Sequence, residues 1–362
     1  MLFTTNGTAL AGTYGVGAGD ATARSIGGQI LEAGRYADYN VNHDLYFFRG
    51  TPRKRGKRIV GDDGNPIEFR GIGTHAPLQY TNLHTLEMMR SLRAYGVNLI
   101  RISVYLEDYT FLHSDGQKAY GYLNKPDETK AEIERIVNYC GQLGMYVLLD
   151  WHIYSWGAGY GTGIFHQTEA EEFFSYFCQL YQDCPYVMYE VANEPHHTTS
   201  AETAPYVKDM YDLIRSYIPD AIVVTGTCKD DVQTWYAALL DAGADDIFIS
   251  PHAYGYGISA SRYAAWWDAG IPLFNSEWGN SEGSGDGKRE DAGATELMKY
   301  YHAEKIPQSV WKLTDQAMTT AVLKNLGTIN SSTYAEGFDA ADLSPAGTLY
   351  FTWFRYYGLG GN

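Results

Sequence analysis

Positive charge is scarce in this chain. Only 27 of its 362 residues are Lys or Arg, against 43 Asp or Glu, and the formal net charge is −16. A polyanion such as nucleic acid would be repelled over most of such a surface. The one basic cluster, Arg53, Lys54, Arg55, Lys57 and Arg58, is short and reads as a solvated linker. Long apolar runs are missing too. No segment approaches the roughly 18 consecutive apolar residues of a membrane span, so no membrane insertion is expected. Residues 1–30 lack the charged start and apolar core of a signal peptide.

Cysteine is sparse. The four residues, Cys140, Cys178, Cys184 and Cys228, form no C-x-x-C pair and no zinc-like spacing. Cys178 and Cys184 straddle the end of a predicted helix and could pair, but free thiols are the reading adopted. Several motifs are absent as well. No G-x-S-x-G elbow exists for a serine hydrolase. The glycine-rich stretch 157–163 is not followed by GK[ST], so it is no phosphate loop. Gly15-Val16-Gly17-Ala18-Gly19 lacks the third spacing and the preceding strand of a dinucleotide site.

What the chain has in excess is aromatic surface: 31 Tyr and 8 Trp, within a 15% aromatic share. Such rings pair one apolar and one polar end, which suits stacking on sugars as well as ordinary packing. From residue 59 a regular alternation begins. Ile59-Val60, a Gly61-Asp62-Asp63-Gly64 turn and Ile67-Glu68-Phe69 read as a hairpin. Strands are then predicted at 67–75, 98–105, 145–152, 187–193, 221–226, 247–254, 272–278 and 309–314. Runs such as Met145-Tyr146-Val147-Leu148-Leu149 are apolar throughout, as strands buried on both faces are.

Helical spacing recurs between the strands. Ile133, Ile136, Val137 and Cys140 mark one helix, and Tyr206, Met210, Leu213 and Ile214 mark another over 204–217. Two more are predicted at 258–269 and 290–304. Gly96, Gly144 and Gly270 stand where helix-ending glycines belong. Eight strands alternating with helices over about 300 residues fit an α/β fold, a (β/α)8 TIM barrel, better than a doubly wound sheet. Residues 59–362 form that barrel in this reading, and 1–58 an irregular N-terminal extension. Polar residues end strand after strand: His75, Arg101, His152, Asn193-Glu194, His252 to Tyr254, Glu277 and Trp311. A barrel gathers eight such strand ends on one rim, where barrel active sites form.

Two glutamates stand out there, in Val191-Ala192-Asn193-Glu194-Pro195 and in Leu273-Phe274-Asn275-Ser276-Glu277-Trp278-Gly279. Either alone could cap a loop. Together, on the fourth and seventh barrel strands, they make the carboxyl pair that glycosidic cleavage needs. Arg101 could stabilise an ionised Glu277, and a drier setting could keep Glu194 protonated. Asn193 could donate to a sugar 2-hydroxyl, while His252 and Tyr254 could orient the carboxylates.

On these residues the chain resembles glycoside hydrolase family 5, in its bacterial endo-β-1,4-glucanase (cellulase) branch. The likeness rests on Tyr189 to Pro195, on Arg70-Gly71-Ile72 with Thr74-His75, and on Asn98-Leu99-Ile100-Arg101. It continues in Leu149-Asp150-Trp151-His152, His252-Ala253-Tyr254, Ser276-Glu277-Trp278-Gly279 and Trp311-Lys312-Leu313-Thr314-Asp315. It covers roughly 59–325. The resemblance implies retention of anomeric configuration, with Glu194 as acid/base and Glu277 as nucleophile, and neither metal nor other cofactor. It implies supporting roles for Arg101, His152, Asn193, His252 and Tyr254, and a stacking platform on Trp311 in the −1 subsite. His75, Tyr80 and Tyr105 match positions touching the non-reducing side of a bound glucan. A β-glucan partner implies a secreted or extracytoplasmic enzyme, and a monomer is expected.

The chain also departs from that branch. Gln316 and Met318 stand where a Lys and a Glu usually bind distal sugars, and Cys228 replaces a Trp on the leaving-group side. Tyr80 stands where Trp is common, after an insertion with Pro77, and the loop 156–163 is richer in glycine. These positions leave mixed-linkage glucan, xyloglucan and mannan open as substrates. Other chemistries are weaker fits. His196-His197 suggests a metal site, but adjacent residues rarely face one ion. Glu282 to Gly287 lacks the closing Glu of a calcium loop and reads as a long loop over the cleft. A non-catalytic carbohydrate-binding barrel would keep the aromatic rim and lose a carboxylate.

Overall fold

The computed structural model describes residues 50–108, 120–153, 165–325, 334 and 336–358. The glycine-rich loop 157–163 and residues 1–49 of the expected extension lie outside the described residues.

The basic cluster is not a solvated linker. It folds as a hairpin, β1 (Arg53–Arg55) against β2 (Arg58–Val60). Acidic and aromatic groups ahead of the barrel strands capture it. Lys54 pairs with Asp246 at 3.1 Å and Arg58 with Glu304 at 2.8 Å. The Lys57 ammonium sits 4.2 Å from the centre of the Trp267 ring. The Gly61–Gly64 turn follows as expected, with Gly64 N–H donating to Gly61 O at 3.0 Å and Ile67 N–H to Ile59 O at 2.9 Å.

Eight parallel strands follow: β3 (Arg70–Gly73), β4 (Leu99–Tyr105), β5 (Tyr146–His152), β6 (Val187–Glu190), β7 (Val223–Gly226), β8 (Ile247–Ser250), β9 (Asn275–Trp278) and β10 (Gln308–Val310). Their hydrogen-bonded order is β8-β7-β6-β5-β4-β3-β10-β9. The ring closes where Phe274 N–H donates to Ile249 O and Ile249 N–H to Pro272 O, both at 2.9 Å. Every residue of these strands is buried, as expected of strands with helices outside and side chains inside.

The helices are α1 (Leu86–Ala94), α2 (Pro126–Leu143), α3 (Gln167–Tyr181), α4 (Ser200–Tyr217), α5 (Val232–Asp241), α6 (Ala260–Asp268), α7 (Asp291–Glu304) and α8 (Pro345–Gly358). Local chemistry sets their ends. Pro126 opens α2 and Gly144, at φ 66°, closes it. Thr199 and Glu202 form a capping box on α4, and Asp231 accepts from the first N–H groups of α5. No helix among the described residues is long and apolar enough to cross a membrane. The four cysteines are free, with Cys140, Cys178 and Cys228 buried.

Candidate active site

The barrel brings the predicted residues to one rim. Arg101 lies within β4, His152 ends β5, and Asn193 and Glu194 follow β6. His252 and Tyr254 follow β8, Glu277 lies within β9, and Trp311 follows β10. One oxygen of Glu194, one oxygen of Glu277 and a ring nitrogen of His252 all lie within 4.8 Å of one another. The two carboxyl groups therefore approach each other to within 4.8 Å.

Each carboxylate has its own holders. Glu277 Oε2 accepts from Arg101 Nη1 at 2.8 Å and Glu277 Oε1 from the Tyr254 hydroxyl at 2.9 Å. Glu194 Oε1 meets His252 Nδ1 at 2.7 Å. Asn193 accepts from Arg101 Nη2 at 2.5 Å and donates to Ile153 O at 3.1 Å. Its amide is thus fixed with one N–H left for a sugar hydroxyl.

The electrostatics at Glu194 differ from the sequence expectation of a drier carboxyl. Burial does push it upward, but the His252 hydrogen bond and charge outweigh that and hold Glu194 below the ordinary carboxylate range. Burial works downward on His252, and Glu277 and Glu194 together raise it above its ordinary value. The two opposite shifts place the proton of the His252–Glu194 pair on the imidazole side. These same atoms are the one described cluster with metal-ligand spacing. Their lone pairs already serve one another, Arg101 and Tyr254, so the arrangement is a proton and charge network. His196 Nδ1 stands 4.0 Å from Glu194 Oε2 and His197 is exposed, so the His196-His197 pair does not converge.

Two groups were missed in the sequence. Asp150 and Glu190 complete the anchorage of Arg101: Nε donates to Glu190 Oε2 at 2.7 Å, and Nη2 lies 2.9 Å from Asp150 Oδ2. Asp150 also holds His152 Nδ1 at 2.5 Å, and Glu190 accepts from Ser276 at 2.5 Å. Burial pushes Asp150 up to about 7 against the pull of Arg101, with Glu277 adding to the rise. Burial likewise raises Glu190. The one guanidinium of Arg101 thus serves three buried carboxylates, those of Asp150, Glu190 and Glu277. A signal was available: each acid interrupts an otherwise apolar, doubly buried strand, where a charge needs a partner.

The aromatic wall is built as predicted in part. Trp311 stacks parallel to His152, with centroids 5.7 Å apart, and His75 stacks on Tyr105 at 4.6 Å. Trp311 has no room to tilt. A Cβ at Gly73 would meet its Cε3 at 3.1 Å, and one at Gly285 its Cδ1 at 3.0 Å. The loop carrying Gly285 thus leans over the cleft wall, as expected of 282–287. Tyr80 is 0% exposed and stands edge-on behind His75, itself 1% exposed, with centroids 5.7 Å apart.

Comparison with known proteins agrees with this geometry. Residues 60–317 match the cellulase family, glycosyl hydrolase family 5. An endoglucanase of Clostridium saccharobutylicum is 28% identical over 314 residues, covering 83% of this chain and 64% of its own. Endoglucanase N of Pectobacterium atrosepticum is 27% identical over 278 residues, covering 74% and 58%. The chain thus spans between about half and two-thirds of the curated relatives it matches. The catalytic domain of Thermobifida fusca endoglucanase Cel5A has the same fold, with a TM-score of 0.69 at 21% identity, covering 85% of this chain and 98% of that one. A β-glucanase of Saccharophagus degradans in complex with cellotetraose superposes with a TM-score of 0.65 at 18% identity, covering 88% and 98%. The match over 60–317, together with a (β/α)8 barrel, places this chain in the cellulase family, glycosyl hydrolase family 5.

Proposed function

We propose that the chain is a retaining, endo-acting β-glucan hydrolase whose preferred substrate is β-1,4-glucan. The observation that carries this is the close facing of Glu194 and Glu277, with oxygens within 4.8 Å. An inverting enzyme needs room for a water between its carboxyl groups, which then stand about 6.5–9.5 Å apart. The separation here suits direct attack by one carboxylate.

Glu277, held by Arg101 and Tyr254, attacks the anomeric carbon while Glu194 gives its proton to the departing glycosidic oxygen. The bond to the leaving sugar breaks and an ester to Glu277 forms. Glu194, again a carboxylate, then takes a proton from a water that attacks the same carbon and frees Glu277. Two inversions leave the β configuration unchanged. Endoglucanase names among the relatives and a cellotetraose-bound neighbour favour β-1,4-glucan. Gln316 and Met318 give this chain no charged pair for distal sugars, which favours tolerance of other β-glucans. A polymeric substrate favours action outside the cytoplasm.

The test is trapping with a 2-fluoro cellobioside followed by peptide mapping, together with product sizing on a polysaccharide panel. Label on Glu277 and early release of mixed oligosaccharides from carboxymethyl cellulose are expected. Label on any other residue overturns the nucleophile. Release from mannan alone overturns the substrate. Trp311→Ala is expected to lower kcat/KM on cello-oligosaccharides by about tenfold or more through lost stacking. Steady-state kinetics matching the wild type would remove Trp311 from the site.

A further inference from the structure

Lys312 is a buried cation of the rim that makes no ion pair among the described residues. It is only 2% exposed. The other buried cations of the barrel are anchored: Arg70 by Glu68 at 3.2 Å, Arg93 by Leu143 O at 3.0 Å, and Arg101 by its carboxylates. Among the described residues, no carboxylate lies within ion-pair reach of Lys312 Nζ, which instead stands 5.1 Å from the centre of the Trp311 ring. The backbone gives it little freedom to leave. Lys312 N–H donates to Thr320 O at 3.4 Å, and Val322 N–H to Lys312 O at 3.3 Å.

We propose that Lys312 is a positioning residue of this site: its amine, lodged over the Trp311 ring and in the field of Glu277, sets the charge that a sugar in the −1 subsite meets, and the enzyme turns over faster when that amine is neutral. The inference rests on the reading of Glu277 as nucleophile and Trp311 as platform.

The argument is electrostatic. The transition state carries positive charge on the sugar. An aromatic face stabilises such a cation, and an ammonium on the same indole competes for that field. A charged Lys312 also stabilises the Glu277 carboxylate before attack, when its charge is about to be consumed. Both effects raise the barrier. Burial lowers the Lys312 amine to about 7, with Glu277 pulling the other way, so both forms are populated near neutrality. The titratable groups named on the rim are Glu277 on β9, His252 and Tyr254 after β8, Asp286 in the loop over the cleft and Asp315 on the segment of Lys312 itself. Of these only Glu277 acts on it appreciably.

The test compares kcat of wild type, Lys312→Met and Lys312→Arg across pH 5–9. Taking the ratio of wild type to Lys312→Met removes the limbs that do not depend on the Lys312 charge and leaves those that do. That ratio is expected to rise about threefold to tenfold from acid to base, with its midpoint near neutrality. Lys312→Arg, charged throughout, should stay at the low value at every pH. A ratio flat across the range overturns the proposal, and so does a ratio that falls. Should Lys312→Arg fail to fold, the wild type to Lys312→Met ratio decides by itself. Failure of the nucleophile reading is distinguishable, because it shows as fluorosugar label elsewhere whatever this ratio does.

Discussion

Replacing Glu277 by Ala is expected to lower kcat on a soluble β-glucan by about 10⁴- to 10⁶-fold, the scale on which loss of a covalent nucleophile acts. The fold should persist. Arg101 keeps Glu190, Asp150 and Asn193, so removing one of its acceptors leaves the guanidinium paired. Arg101 Nη1 and the Tyr254 hydroxyl each lose an acceptor, and the hydroxyl, left without one, costs about 1–3 kcal/mol. The loss of rate must therefore come with a thermal unfolding curve shifted by a few degrees at most. Azide separates the two glutamates by stereochemistry. In Glu277→Ala, azide can fill the vacated volume and displace an activated leaving group once, which inverts a β-glycoside to an α-glycosyl azide. In Glu194→Ala the ester still forms on Glu277, and azide attacking that ester inverts a second time to give a β-glycosyl azide. Identical products from the two variants, or turnover near wild type in either, would sink the assignment.

The barrel and the meeting of Glu194 with Glu277 were legible for a shared reason. Strand, helix and loop alternate in the order in which a barrel is wound, and Glu194 and Glu277 each follow or end an apolar strand, so chain order alone carries them to one rim. Relations across the barrel were less legible. Asp150 and Glu190 stand in adjacent strands, in register with each other, and their common partner Arg101 comes from β4. No spacing along the chain encodes that meeting. The basic hairpin misled for the same reason, since its partners Asp246 and Glu304 lie about 190 and 250 residues away. Tyr80 follows a one-residue insertion, and its burial behind His75 depends on how that loop turns. The eighth helix, α8, escaped the periodicity reading, yet Tyr350 on it donates to Asn280 at 2.7 Å and braces the loop after β9.

Arg101 is where fold and chemistry are least separable, and Arg101→Met is expected to damage both. The guanidinium uses every arm: Nε on Glu190, Nη1 on Glu277, Nη2 on Asn193 and Asp150. Its neutral replacement would leave three carboxylates in the barrel interior without the guanidinium that pairs with each of them. Breaking a buried charge network from one side costs about 3–5 kcal/mol. The sign with pH follows from the carboxylates. Asp150 and Glu190 are already raised by burial, and without Arg101 they rise further above their unfolded values. A carboxyl group raised in the folded state supports folding at low pH and loses that support as pH climbs through its folded value. The variant should therefore lie closest to wild-type stability near pH 4–5 and fall furthest behind above pH 7. Lys at this position would restore the charge but not the planar fork that reaches four acceptors at once. Arg101→Lys is accordingly expected to recover most of the stability and little of the kcat, since Glu277 would no longer be aimed. Chemical denaturation at pH 4.5 and pH 8, run beside kinetics on the same preparations, checks both halves. A stability deficit independent of pH would show that Arg101 packs the barrel without governing its charge.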